Sequence, residues 1–71
     1  MQDGNVYGKL ELVGSSPKSI EDAVQSALGK AAEKIKNVRW FEVIETRGYV
    51  DNNKVAWWQV TIKVGYNMED F

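Results

Sequence analysis

Apolar and polar positions alternate from Val6 to Val13. Val6, Leu10 and Leu12 fall on one face, and Tyr7, Lys9 and Glu11 on the other. A period of two is the mark of a half-buried strand. Gly14-Ser15-Ser16-Pro17 ends it, and the period then changes. Ile20, Ala23, Val24, Ala27, Leu28, Ala31 and Ile35 follow the i, i+3, i+4, i+7 spacing of an amphipathic helix, with Glu21, Gln25, Lys30, Glu33 and Lys34 on its outer face. Two residues compete for its N-cap: Ser16, with Pro17 at the first helical position, and Ser19, with acidic Asp22 three residues on. Ser19 is favoured. Glu21 and Asp22 near the start and Lys34 and Lys36 near the end suit the helix macrodipole. Gly29, in the middle, costs the helix about 1 kcal/mol relative to alanine.

Two more strands follow. Arg39 to Val50 is rich in aromatic and β-branched residues. Asp51-Asn52-Asn53-Lys54 is a turn, because asparagine tolerates positive φ. Val55 to Tyr66 alternates again: Ala56, Trp58, Val60, Ile62, Val64 and Tyr66 on one face, and Trp57, Gln59, Thr61 and Lys63 on the other. Asn67 to Phe71 reads as a frayed tail. The expected fold class is therefore α+β, in the order β-α-β-β. The last two strands form a hairpin, and the helix covers one face of a three-stranded antiparallel sheet. Residues 1–71 make a single domain.

Composition changes this picture in one respect. A chain of 71 residues buries only about 60% of its unfolded surface, and small domains usually need a further source of stability. Cysteine is absent, which excludes disulfides, and histidine is absent, which with no evident carboxylate spacing argues against a metal site. Self-association is left. A net charge of −1 argues against a nucleic-acid partner. No apolar run approaches the roughly 18 residues of a membrane span. The polar Met1-Gln2-Asp3-Gly4-Asn5 lacks the apolar core of a signal peptide, so a cytoplasmic protein is expected.

Catalysis has little to work with. Without His or Cys, no Ser/His, Cys/His or metal constellation can be built. Glu42 and Glu45, three apart on a strand, are expected to face opposite ways. Gly14-Ser15-Ser16 ahead of a helix resembles a phosphate cradle but lacks the other glycines and the lysine of a P-loop. The residues that stand out are Trp40 at the head of the second strand and Gln59 on the polar face of the third. A large flat aromatic can stack on a planar heterocycle, and a carboxamide both donates and accepts. Each also has a plainer reading: Trp40 as an interface anchor or core lid, Gln59 as a solvated sheet residue. Trp57 and Trp58 point to opposite faces, Trp58 to the core and Trp57 to a surface or interface.

Pairing Val50 with Val55 sets Gln59 opposite Thr46. Trp40, Glu42, Ile44 and Thr46 then share the face of Trp57, Gln59, Thr61 and Lys63. Strict alternation turns Arg47 to the helix side unless a bulge near Gly48 reverses it. Trp40 lies six residues from Thr46, roughly 20 Å at about 3.3 Å per residue. The two candidate residues of one chain are therefore not expected to reach the same small ring, and a ligand that uses both needs a subunit interface or a strongly bent strand.

Taken together, Glu11-Leu12-Val13-Gly14-Ser15-Ser16-Pro17, Ser19-Ile20-Glu21-Asp22-Ala23, Arg39-Trp40-Phe41-Glu42-Val43, Glu45-Thr46-Arg47-Gly48 and Gln59-Val60-Thr61-Ile62-Lys63-Val64-Gly65-Tyr66 resemble the dodecins over nearly the whole chain. The resemblance implies a homododecamer, hollow and of cubic symmetry. It implies a store or buffer for flavins (riboflavin, FMN or a related flavin, FAD included) bound in pairs between subunits, and no enzyme. The family's stacking tryptophan falls on Trp40, its edge-reading glutamine on Gln59, and an arginine near the flavin phosphate on Arg47. Where relatives often carry a polar residue followed by Tyr, this chain has Trp57-Trp58, so Trp57 joins the expected cofactor-binding set. An arginine that helps some bacterial members hold coenzyme A is replaced by Asn67, and coenzyme A is not carried over. The competing reading is a structural module whose tryptophans only build the oligomer interface.

Overall fold

The computed structural model describes residues 6–68. Four elements follow one another: β1 (Tyr7–Ser16), α1 (Ile20–Lys34), β2 (Val38–Asp51) and β3 (Lys54–Asn67). The β-α-β-β order is as expected, with all strands antiparallel in the order β1-β3-β2. The last strand is thus the central one. β1 does not stop at Val13. It continues through Gly14-Ser15-Ser16, paired with Val60, Gln59 and Trp58.

α1 lies across β1 and β3. Ala23, Ala27 and Ala31, one turn apart, press a stripe of small side chains against Val60, Ile62 and Val64, and these six with Val24 form the buried core. Each of the three β-strand residues is fully removed from water, which is worth roughly 1.5–3 kcal/mol for a side chain of that size. The close approach depends on Gly14: a Cβ there would collide with the backbone carbonyl of Ala23.

Both serines at the start of α1 are used. Ser19 is the N-cap, and its Oγ accepts from the Asp22 N–H at 3.0 Å. Ser16, 1% exposed, accepts from the Lys18 N–H at 2.9 Å and donates to the Asp22 carboxylate at 2.7 Å. The Gly14-Ser15-Ser16 segment is therefore closed to a phosphate by a hydroxyl already engaged and a carboxylate facing it. At the far end Asn37 adopts φ 62° and turns the chain into β2. Asn52 (φ 55°) and Asn53 (φ 63°) make the hairpin turn, the left-handed pair that a two-residue connection requires.

The expected polar N-terminal segment and the last three residues of the expected tail lie outside the described residues. The first two residues of that tail are ordered parts of the fold. Asn67 is buried and its N–H donates to the Asn37 carbonyl at 3.1 Å, and the Met68 N–H donates to Val6 at 2.9 Å. No helix among the described residues is long and apolar enough to cross a membrane.

Candidate functional site

The face of the sheet opposite the helix is assembled by register. From β1 it receives Tyr7, Lys9, Glu11, Val13 and Ser15; from β3, Gly65, Lys63, Thr61, Gln59 and Trp57. On β2 the register slips between Val43 and Glu45, so Ile44 occupies a bulge. One extra residue reverses which way every later side chain points. Beyond it, Glu45 faces Thr61, Arg47 faces Gln59 and Tyr49 faces Trp57. This corrects three expectations. Arg47 belongs to the outer face with Gln59, Thr46 pairs with Val60 on the helix side, and Glu42 and Glu45 share a face. Counted from Val50 and Val55, which pair at the turn as expected, the slip that turns Arg47 outward lies between Tyr49 and Val50, next to the Gly48 position where one was anticipated; the Ile44 bulge then restores the expected pairing from Val43 to Trp40.

At one end of this face stands Trp40, opposite Gly65. Its indole lies against the Gly65 backbone, in the space where any β-carbon would have to go. Tyr7 meets it edge-on, ring centroids 5.1 Å apart at 66°. The residue keeps 39% of its surface open in the protomer. Beside it Lys9 and Glu42 form an ion pair at 3.0 Å. Lys9 holds the Glu42 carboxyl below its ordinary 4.5, with smaller help from Lys63 and the Trp40 N–H.

At the other end Gln59 is held from both sides. Its Oε1 accepts from the Tyr49 hydroxyl, and its Nε2 donates to Ser15 Oγ, both at 3.3 Å. Arg47 forks onto Glu45 at 3.0 and 3.1 Å. Its guanidinium is kept charged above its usual range, chiefly by Glu45 and then by the Tyr49 hydroxyl. Trp57 is half exposed next to this group, while Trp58 turns to the helix side and is partly buried. The fold brings Gln59, Arg47 and Trp57 together. It does not bring Trp40 to them: Gln59 is six residues along β3 from Gly65, roughly 20 Å. Sequence reasoning missed Tyr49, Ser15 and Gly65. A glycine facing a tryptophan across the hairpin was the available signal for Gly65; the slip next to Val50 hid Tyr49.

Among the described residues no three His, Cys, Asp or Glu side chains gather as a metal-ligand set. Among the described residues, Glu42 is the carboxyl held away from its ordinary value, and it is held ionised. Because its pKa falls on folding, its contribution is present above about 4.5 and is lost as the pH drops through the lower folded value. With no His or Cys, no side chain has an ordinary pKa between about 5 and 8. Melting temperature and riboflavin affinity are therefore expected to be flat from pH 5 to 8, FMN differing only through the ionisation of its own phosphate at about pH 6, with stability declining only below about pH 4. Thermal melts at unit pH intervals would show it, and a sharp transition near pH 7 would contradict it.

Residues 6–69 match the family model for dodecin. The chain belongs to the dodecin family. A curated dodecin from Thermus thermophilus is 42% identical over 67 residues, 94% of this chain and 97% of the relative. A crystal structure from the same organism superimposes with a TM-score of 0.90 at 41% identity, covering 96% of this chain and all of the other. The dodecin of Streptomyces davaonensis does so at 0.89 and 34% identity, with 96% and 100% covered. A more distant family member from Mycobacterium tuberculosis, 28% identical over 64 residues, is a calcium dodecin.

Proposed function

We propose that this member of the dodecin family binds flavin between copies of itself in a hollow dodecamer, and stores it without turning it over. The observation that carries the reading is the placement of Trp40 and Gln59. They share one sheet face, yet one protomer holds them too far apart for a single ring. Two protomers brought together can offer a stacking indole and an edge-reading amide to the same isoalloxazine. Arg47 beside Gln59 supplies a cation for the phosphate of FMN, and Trp57 walls the same end. Riboflavin and FMN are the expected ligands, and FAD fits if its adenylate can leave the site.

The protomer also needs company. Every residue of β2 except Val38 is exposed, Phe41, Val43, Tyr49 and Val50 each by 44% or more. Between α1 and β2 runs a groove of about 620 Å³ lined by Val24, Leu28, Phe41 and Val43 among others. Apolar surface of this extent marks an interface. Covering it supplies the burial that so small a domain lacks. The calcium of the mycobacterial relative is not carried over, because the acidic side chains here are spread along the face, with Glu42 engaged by Lys9 and Glu45 by Arg47.

Titrating ligand-free protein with riboflavin, FMN and FAD, while following flavin emission, tests the reading. Uptake with quenching is expected, at up to one flavin per chain. Light scattering should report about twelve times the 8.1 kDa chain mass. A dodecamer that leaves every flavin free and fluorescent would favour the purely structural reading of the tryptophans. A monomer or dimer that binds flavin would overturn the assembly.

A further inference from the structure

We infer that Tyr7 is a positioning residue for Trp40: its edge-on contact fixes the tilt at which the indole offers an open face to a flavin. The inference rests on the flavin-binding reading above. It adds to that site a residue from β1, the strand that carries neither Trp40 nor Gln59.

Tyr7 stands on β1 and Trp40 on β2, and β3 runs between these strands. With neighbouring strands about 4.8 Å apart, two backbones separated by a third lie roughly 10 Å from each other. Side chains so placed ordinarily meet a side chain of the central strand before they meet each other. Here the central residue opposite Trp40 is Gly65, which has none. The indole takes the space that a β-carbon would need there. Tyr7, whose own partner on β3 is Asn67, comes in from the next row of the sheet to meet it. The ring centroids are 5.1 Å apart and the planes cross at 66°. That is the edge-to-face arrangement favoured by the ring quadrupoles. Beside the two rings, Lys9 and Glu42 also join β1 to β2 over the central strand, at 3.0 Å.

A tryptophan above a glycine gains room and loses guidance. No side chain beneath it selects among the staggered rotamers open to it. Tyr7 supplies the missing wall. An indole free to swing would present its stacking face only part of the time, and the apparent affinity for the ring would fall by that fraction. Quenching would fall too, because electron transfer from the indole needs the two rings in contact. Tyr7 acts through Trp40 and not on the ligand. The loss on removing it is therefore the same for riboflavin, FMN and FAD, whatever each carries beyond the ring.

Tyr7→Leu tests this. It is expected to weaken all three flavins by one common factor, roughly two- to tenfold, the range of one edge-to-face aromatic pair. At saturating protein, where affinity no longer matters, part of the bound flavin should become emissive. Tyr7→Phe keeps the ring and should stay within twofold of wild type with full quenching. In a Trp40→Ala background Tyr7→Leu should have no further effect, because its only route to the flavin is gone. A residue that merely stabilised the fold would change none of the emission at saturation. Where Tyr7→Leu does not assemble, Tyr7→Val, a smaller strand former, takes its place. If neither assembles, Tyr7 belongs to the subunit interface and the inference fails. It fails also if Tyr7→Leu binds within twofold of wild type and stays fully quenched, if Tyr7→Phe loses as much as Tyr7→Leu, or if the three flavins lose by different factors. A wild-type protein that takes up no flavin would sink the functional reading itself, an outcome distinct from all of these.

Discussion

Trp40→Ala is expected to bind riboflavin, FMN and FAD at least tenfold more weakly, and to leave bright whatever it still binds. Stacking a planar heterocycle on an aromatic side chain is worth about 1–3 kcal/mol when the aromatic is cut to alanine, and each 1.4 kcal/mol is a factor of ten in affinity. Emission should return because the stacked indole that donates an electron to the excited flavin is gone, while Tyr7, the neighbouring aromatic, meets that indole edge-on. Gly65→Ala gives the same result without touching the tryptophan. A methyl at that position would occupy the space of the indole ring and push it off the sheet. Affinity should fall and quenching should become incomplete, with Trp40 still present. Fluorescence titrations of both variants check this. If Trp40→Ala binds as tightly as the wild type with emission still quenched, Trp57 is the stacking residue and the assignment of Trp40 is wrong.

The largest effect on stability is expected from one methyl group. Gly14→Ala places a β-carbon against the Ala23 carbonyl and within 3.1 Å of the Ala27 side chain. Neither neighbour can yield without moving α1 off the sheet. Overpacking of this kind costs about 1–3 kcal/mol, and for a domain of this size each kcal/mol lowers the melting temperature by roughly 4–8 °C. The same substitution at Gly29 should do the reverse. That residue is exposed on α1, and an added β-carbon meets nothing within 4 Å. Removing a mid-helix glycine there should gain about 1 kcal/mol. Melts of the two variants at equal protein concentration, which matters for an assembling protein, should shift in opposite directions. Two shifts of the same sign would show that the helix–sheet distance is not set at Gly14.

The element order, the Ser19 cap, the Asn52-Asn53 turn and the core stripe of alanines were all legible in the sequence, because each is a local pattern with one physical cause. The positions of Trp40 and Gln59 on a common face, and their separation along it, were legible too: both follow from counting residues along paired strands. What could not be read was the face of Arg47, Glu45 and Tyr49. A slip adds one residue without any change of composition, and neither Ala56 nor Ile44 looks different from its neighbours. Counted from the hairpin turn, the register is off by one from Tyr49 to Glu45 and returns at the Ile44 bulge, so Trp40 is placed correctly and Arg47 is not. The tail was misjudged for a different reason: Asn67 is a polar residue that earns its buried place through backbone contacts with Asn37, which no periodicity announces.

The sheet order has a consequence for how the chain comes to be folded. β1 and β2 never touch as partners; each is paired only with β3, the last strand to be synthesised. While the first fifty or so residues emerge from the ribosome, only α1 can form from local contacts, and two strands wait with their backbone hydrogen-bonding groups open to water. Every strand-to-strand pairing waits for Lys54–Asn67 to slot between them. A chain arrested before that point has no partial sheet to fall back on.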